Sequence, residues 1–146
     1  MAKRCGIPIA CDLQDCVDIH DPYRQDFIQA ADMLFFSAVN HSTPQPLMEA
    51  ILGRYPDKIL IAGMGAKGCA LGSSEGIRYF LPADMDAVVI DTNGAGDGLA
   101  VGFLSSFYLE QMPLADAIRR GQRAARHTCA QKADSSHLMT REQLNA

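Results

Sequence analysis

Residues 91–97 read Asp-Thr-Asn-Gly-Ala-Gly-Asp and form the densest set of groups in the chain that can do chemistry. Gly94, Ala95 and Gly96 remove bulk from a turn, so a ligand can approach the backbone closely. If a helix opens here, its first N–H groups have no partner inside the helix and point outward. With the helix dipole they make an anion site. A phosphoryl group in transfer spreads charge over its oxygens, and donors fixed at that spot stabilise the transition state. Asp97 falls in the first helical turn, where a carboxylate can accept the proton of an attacking hydroxyl. A plainer alternative stays open at this point: Asp97 complements the dipole, and the glycines only make a tight turn.

A second glycine cluster, Gly63-Met64-Gly65-Ala66-Lys67-Gly68, spells Gly-x-Gly-x-x-Gly. A dinucleotide-binding turn needs a helix immediately after that string. The next residues, Cys69-Ala70-Leu71-Gly72-Ser73, do not read as one, so a Rossmann site is set aside. The Gly-x-x-x-x-Gly-Lys-Ser/Thr string of a P-loop does not occur. The five cysteines include no Cys-x-x-Cys, and the four histidines have no metal-ligand spacing. Reduced thiols in a cytosolic protein are the plain reading.

The elements that must position these turns can be read from periodicity. Residues 6–12 read as a short buried strand ending in Asp12, and 33–37 and 58–62 as two more. Between them, 22–31 is a helix with Asp21 as N-cap and Pro22 in its first position. A second helix covers 44–55, with Thr43 as cap. Strand alternating with helix predicts a parallel sheet covered by helices. The pattern then changes: 69–73 and 77–81 flank Ser74-Glu75-Gly76 and read as a hairpin. A strand is expected at 87–90. A helix apolar nearly all round follows at 95–110, then one at 114–129 with a stripe of Leu114, Ile118, Gly121, Ala125 and Cys129. Arg119, Arg120, Arg123 and Arg126 crowd its other side and read as a solvated face. Lys3-Arg4-Cys5-Gly6 has the character of a helix C-terminus, as if the chain began partway through a fold. A sheet starting there exposes an apolar edge.

Composition removes several classes. A chain of 146 residues with 48% hydrophobic and 21% charged residues can bury a core. The net charge of −4 and the lack of a Lys/Arg run argue against nucleic acid and anionic membrane as partners. No apolar stretch approaches the roughly 20 residues of a membrane span. The apolar stretch after the basic start is broken by Asp12 and is too short for a signal peptide, so a cytoplasmic protein is expected.

The string at 91–97 matches the Asp-Thr-x-Gly-Ala-Gly-Asp signature of the ribokinase-like carbohydrate kinases, the pfkB family, in full. The resemblance extends over nearly the whole chain. It takes in the strand ending at Asp12, Gly65-Ala66-Lys67-Gly68 with its hairpin, and the helix holding Ala117-Ile118-Arg119. It covers about the C-terminal half of a full-length member. Residues 1–146 are therefore expected to be the C-terminal nucleotide-binding and catalytic part of a ribokinase-like kinase domain. That implies an α/β fold, a mostly parallel sheet flanked by helices with a β-hairpin after the third strand, and an absent N-terminal half carrying the sugar contacts and lid.

The resemblance implies Asp97 as the base that deprotonates a sugar hydroxyl, and Gly94, Ala95 and Gly96 as the anion hole. Asp91 and Asn93 would help hold a monovalent cation such as K+. The loop Gly63, Gly65, Ala66, Lys67 and Gly68 would lie along ATP, with Lys67 either screening phosphate or simply solvated. Gln122 stands where a polar residue approaches the adenine, though a surface glutamine is the alternative. ATP with Mg2+ and a small sugar-like substrate are the implied ligands, and a homodimer stays open. A nucleoside or vitamin-precursor kinase of the same fold, or a non-catalytic nucleotide-binding remnant, are the rival readings. Two departures from the family pattern stand out. Ser37-Ala38-Val39-Asn40 replaces the Asn-x-x-Glu that helps organise magnesium and phosphate, so a carboxylate is lost. Lys132-Ala133-Asp134-Ser135 lacks the glycine usual in the C-terminal loop.

Overall fold

The structure is a computed structural model that describes residues 2–84, 86–132 and 137–145. The second departure above, at 133–135, lies outside the described residues. The chain divides into two compact units, residues 1–81 and 82–146.

The first unit is a five-stranded sheet in the order β1-β2-β3-β4-β5, with β1 Ala10–Asp15, β2 Met33–Ser37, β3 Ile59–Gly63, β4 Cys69–Ser73 and β5 Gly76–Phe80. The pairings β1–β2 and β2–β3 are parallel, and β3–β4 and β4–β5 antiparallel. Helix α1, Pro22–Ala30, crosses from β1 to β2, and α2, Gln45–Arg54, from β2 to β3. The expected α/β architecture with a hairpin after the third strand is what forms, with as many antiparallel as parallel pairings.

Local chemistry accounts for these boundaries. Asp21 accepts the Tyr23 amide at 2.9 Å and caps α1, and Pro22 fills a position that needs no N–H. For α2 the N-cap is Pro44, with no side-chain cap; Thr43 Oγ1 accepts the Gln45 amide at 3.4 Å. Leu34, Phe36, Leu60, Ala62 and Ala70 on one sheet face pack with Ile28, Leu47, Met48 and Ile51 into a buried cluster. Lys58 is also buried. Its ammonium donates to the Ala31 carbonyl just past α1 and lies 4.8 Å from the Tyr55 ring centroid. The basic start forms a 3-10 turn over Ala2–Cys5, ended by Gly6 at φ +67°.

The first strand differs from expectation. Pairing begins at Ala10 rather than at residue 6, and the strand is mostly exposed. Pro8 has no N–H to offer a ladder. The Ile9 amide goes to Asp32 Oδ2 at 2.8 Å instead. Among the described residues, β1 is the edge of the sheet and pairs with β2 alone.

The second unit holds α3 Ala95–Leu104, α4 Leu114–Cys129 and α5 Arg141–Asn145. Three expectations fail here. Residues 87–90 do not form a strand, and Val88 and Ile90 are 81% and 66% exposed. Their backbone is claimed elsewhere: the Ile90 and Asp91 amides both donate to the Cys129 carbonyl, at 2.7 and 3.3 Å, and Arg126 donates to the Ala87 carbonyl. The helix at 95–110 is not continuous, because α3 gives way to a π-helical turn at Ser105–Leu109. It is not buried all round either: Leu99, Gly102 and Phe103 are buried, whereas Val101 faces water. The arginines of α4 are not one solvated face. Arg119 is exposed beside Asp116, but Arg120 pairs with Glu110 and Arg123 reaches the Gln143 carbonyl at 3.4 Å. The buried stripe of α4 runs through Ala117, Ile118, Gly121, Gln122 and Ala124, with Leu114, Ala125 and Cys129 half-buried.

The helices α3 and α4 pack through small residues. A Cβ at Gly98 would lie 2.7 Å from Thr128 Oγ1, one at Gly102 2.7 Å from Ala124 Cβ, and one at Gly121 2.7 Å from the Leu99 carbonyl oxygen. Among the described residues, no helix is long and apolar enough to cross a membrane.

Candidate active site

In the second unit the turn and the helix start come together. Gly94 is the N-cap of α3 and sits at φ +78°, a left-handed conformation that costs glycine nothing. Thr128 of α4 backs the turn, its Cγ2 3.5 Å from where a Gly94 Cβ would stand. Asp91 Oδ1 accepts the Asn93 amide at 3.0 Å, which folds the entry to the turn. The Ala95 amide donates to the Thr92 carbonyl at 3.2 Å, and the Gly98 amide to Gly94 at 2.9 Å. Among the described residues, the amides of Gly94, Gly96 and Asp97 have no such partner. These are the donors that a helix start leaves over. A Cβ at Gly96 would meet nothing within 4 Å, so the space over the helix start is open. Asp97 is exposed in the first turn of α3, one residue beyond Gly96. The arrangement can hold an anion on backbone amides with a carboxylate beside it.

Gln122 does not lie on the surface. It is 8% exposed on α4, so its amide is in the packed interior of this unit. Asn93 is exposed and Asp91 half-buried.

In the first unit, the loop after β3 has its own geometry. Gly65–Lys67 makes a single 3-10 turn, with Gly65 at φ +59° and Gly68 at φ +92°. The Met64 amide donates to the Gly68 carbonyl at 2.9 Å, and the Gly68 amide to Gly65 at 3.0 Å. A strand follows directly, so the loop lacks the helix a dinucleotide turn requires. Gly65, Ala66 and Lys67 are exposed, and Gly63, Met64 and Gly68 half-buried.

The model of the pfkB family carbohydrate kinases matches residues 18–141. The chain belongs to the pfkB carbohydrate kinase family. An acarbose 7(IV)-phosphotransferase of Actinoplanes sp. is 33% identical over 102 residues, 68% of this chain and 33% of its own length. Among solved structures, a microbiome-derived acarbose kinase, Mak1, superposes with a TM-score of 0.86 at 24% identity, covering 99% of this chain and 49% of Mak1. Aminoimidazole riboside kinase from Salmonella enterica, solved with aminoimidazole riboside and an ATP analog, gives 0.77 at 22% identity, covering 99% of this chain and 53% of that one. The chain thus spans between a third and about half of the length of these relatives.

The sequence places Cys129 only on the packing stripe of α4 and gives Thr128 no task. Both support the turn at 91–97: Thr128 packs against Gly94, and the Cys129 carbonyl accepts the Ile90 and Asp91 amides. A helix end far downstream in the chain carries no local signal of that task.

Proposed function

We propose that this chain is the nucleotide-binding and catalytic part of a kinase that transfers the γ-phosphoryl group of ATP to a hydroxyl of a sugar or related small molecule. The observation that carries this reading is the glycine turn at the start of α3. It presents unpaired amides beneath open space with the Asp97 carboxylate one residue away, in a chain of the pfkB family. Of the expected anion hole of Gly94, Ala95 and Gly96, the Ala95 amide is taken by the Thr92 carbonyl and fixes the turn, so the amides of Gly94 and Gly96 receive the negative oxygens of the transferred group. Asp97 takes the proton of the attacking hydroxyl, which makes that oxygen a better nucleophile. In the first unit the loop of Gly63, Gly65, Ala66, Lys67 and Gly68 is the nucleotide bed. The adenine contact expected of Gln122 is not part of this reading, because that side chain is buried within the second unit.

Magnesium enters with ATP, because it keeps several waters and binds mainly through phosphates and one or two carboxylates. When bound it neutralises charge on the phosphate oxygens. The monovalent-cation role of Asp91 and Asn93 is supported only by their joint position in one Asx turn. The sugar contacts belong to the length of the relatives that this chain does not span, and so does the choice between a sugar and a nucleoside acceptor.

Calorimetry with ATP on wild type and Asp97→Asn, with turnover measured after joining an N-terminal half from a relative, tests the reading. The variant should bind ATP within about twofold of wild type while turnover falls about 10²- to 10⁴-fold, the usual share of a general base. Absence of turnover in both proteins would instead mark a non-catalytic nucleotide binder.

A further inference from the structure

The turn that opens α3 carries a reactive pair. The chain has three asparagines, and only Asn93 is followed by glycine; His41 follows Asn40, and Ala146 follows Asn145. A backbone nitrogen can attack the side-chain amide carbon of the asparagine before it. Glycine hinders this least, because it has no Cβ and leaves the backbone free to rotate. Asn93 and Gly94 are both exposed, and among the described residues the Gly94 amide donates to nothing.

The folded turn holds the two groups apart. The Ala95 amide donates to the Thr92 carbonyl at 3.2 Å, and Gly94 sits at φ +78° and ψ 0°. This is a type II turn over residues 92–95, with Asn93 in second place and Gly94 in third. The second residue of such a turn has ψ of about +120°. Tetrahedral geometry at Cα then turns the Gly94 nitrogen roughly 120° out of line with the Asn93 side chain, whereas closing a five-membered ring needs the two nearly eclipsed. Attack must wait until the Ala95 hydrogen bond breaks and the peptide between Asn93 and Gly94 rotates.

We propose that Asn93 is a self-modification site, held back by the closed turn and, once converted, disabling the anion site. In the opened turn the Gly94 nitrogen loses its proton to hydroxide and bonds to Asn93 Cγ. The bond from Cγ to Nδ2 breaks, and that nitrogen leaves as ammonia with a proton from water. Water then opens the succinimide at either carbonyl, giving aspartate or isoaspartate. Both products place a new negative charge next to the Gly94 and Gly96 amides, where it repels a phosphate. Isoaspartate also adds a methylene to the main chain of the turn. The modification stands apart from the kinase reading; only its effect on ATP binding rests on that reading.

The test ages the whole chain at mildly alkaline pH, alone, with sodium tripolyphosphate, and in urea. Residue 93 is followed by peptide mapping and by isoaspartate labelling with protein isoaspartyl methyltransferase. Conversion at Asn93 should outrun that at Asn40. It should be at least about tenfold slower in the folded chain than in urea, because it draws on a locally opened state. Saturating tripolyphosphate, which favours the closed turn, should slow it by about threefold or more. Asn93→Asp carries the charge of the product and should bind tripolyphosphate and ATP about tenfold more weakly than wild type in calorimetry. Asn93→Gln would have to close a six-membered ring and should keep its starting affinity through ageing. No conversion in the folded chain over a time that converts the urea sample overturns the inference. A folded rate equal to that in urea does the same, as does an Asn93→Asp affinity equal to wild type. Wild type that binds tripolyphosphate but not ATP sinks the kinase reading and leaves the inference standing, and wild type that binds neither overturns both.

Discussion

A methyl group added at Gly96 has room to exist but stands where the anion is proposed to sit. Alanine is the better helix former by roughly 0.5–1 kcal/mol, so Gly96→Ala should keep or slightly raise the melting temperature. Its ATP affinity should nevertheless fall about tenfold; unchanged affinity in calorimetry would count against the anion hole. Gly94→Ala separates geometry from space, because φ +78° is strained for alanine by about 1–2 kcal/mol. That variant should be destabilised in urea titration. A third residue reports on the interior. Burial pushes the Cys69 thiol up to about 12 from an ordinary 9.0. Below pH 9 the thiol is protonated in both states and its burial contributes fully. As pH rises towards 12 the unfolded chain ionises and the folded one does not, so stability falls by about 1.4 kcal/mol per pH unit in that window. Denaturation midpoints between pH 8 and 11 should show this slope in wild type and a shallower one in Cys69→Ala.

The contact between α3 and α4 depends on glycine at the level of whole elements. A Cβ at Gly121 would press into the Leu99 carbonyl, a backbone atom that cannot swing away. Gly121→Ala should therefore cost about 1–3 kcal/mol, measured by urea unfolding. The same list of elements shows what sequence can and cannot convey. Helix α1 was readable because its start is written locally, in Asp21 and Pro22, and α4 because Pro113 precedes a strong amphipathic period. Strands β2 and β3 were readable because continuous apolar runs between helices have few alternatives. Residues 87–90 misled for the same reason: Val88, Val89 and Ile90 have strand character, but a strand also needs a ladder partner, and the helix end takes the Ile90 amide instead. The arginines of α4 misled because charge pattern says nothing of Glu110, Ala87 or Gln143 arriving from elsewhere. The glycine turn was legible as a string; its support by Thr128 was not.

At the scale of the molecule, the chain passes from one compact unit to the other near Leu81 and Pro82. The described residues between there and Ile90 have no regular secondary structure, and Leu81, Val88 and Val89 offer exposed apolar side chains to a protease such as thermolysin. Brief proteolysis read by mass spectrometry should cut first within residues 81–90; an earlier cut inside β2 or α4 would contradict this division. Positioning of two reactants supplies much of the rate in such kinases. The isolated chain should accordingly bind ATP yet phosphorylate a sugar far more slowly than the same chain joined to a relative's remaining half.

The paired amides of Ile90 and Asp91 on the Cys129 carbonyl tie the doorway of the glycine turn to the last residue of a sixteen-residue helix. That single oxygen acts as a latch. Fraying of α4 from its C-terminal end would release the turn in the same event, and a ligand that quiets the turn would in return slow deuterium uptake at the helix end.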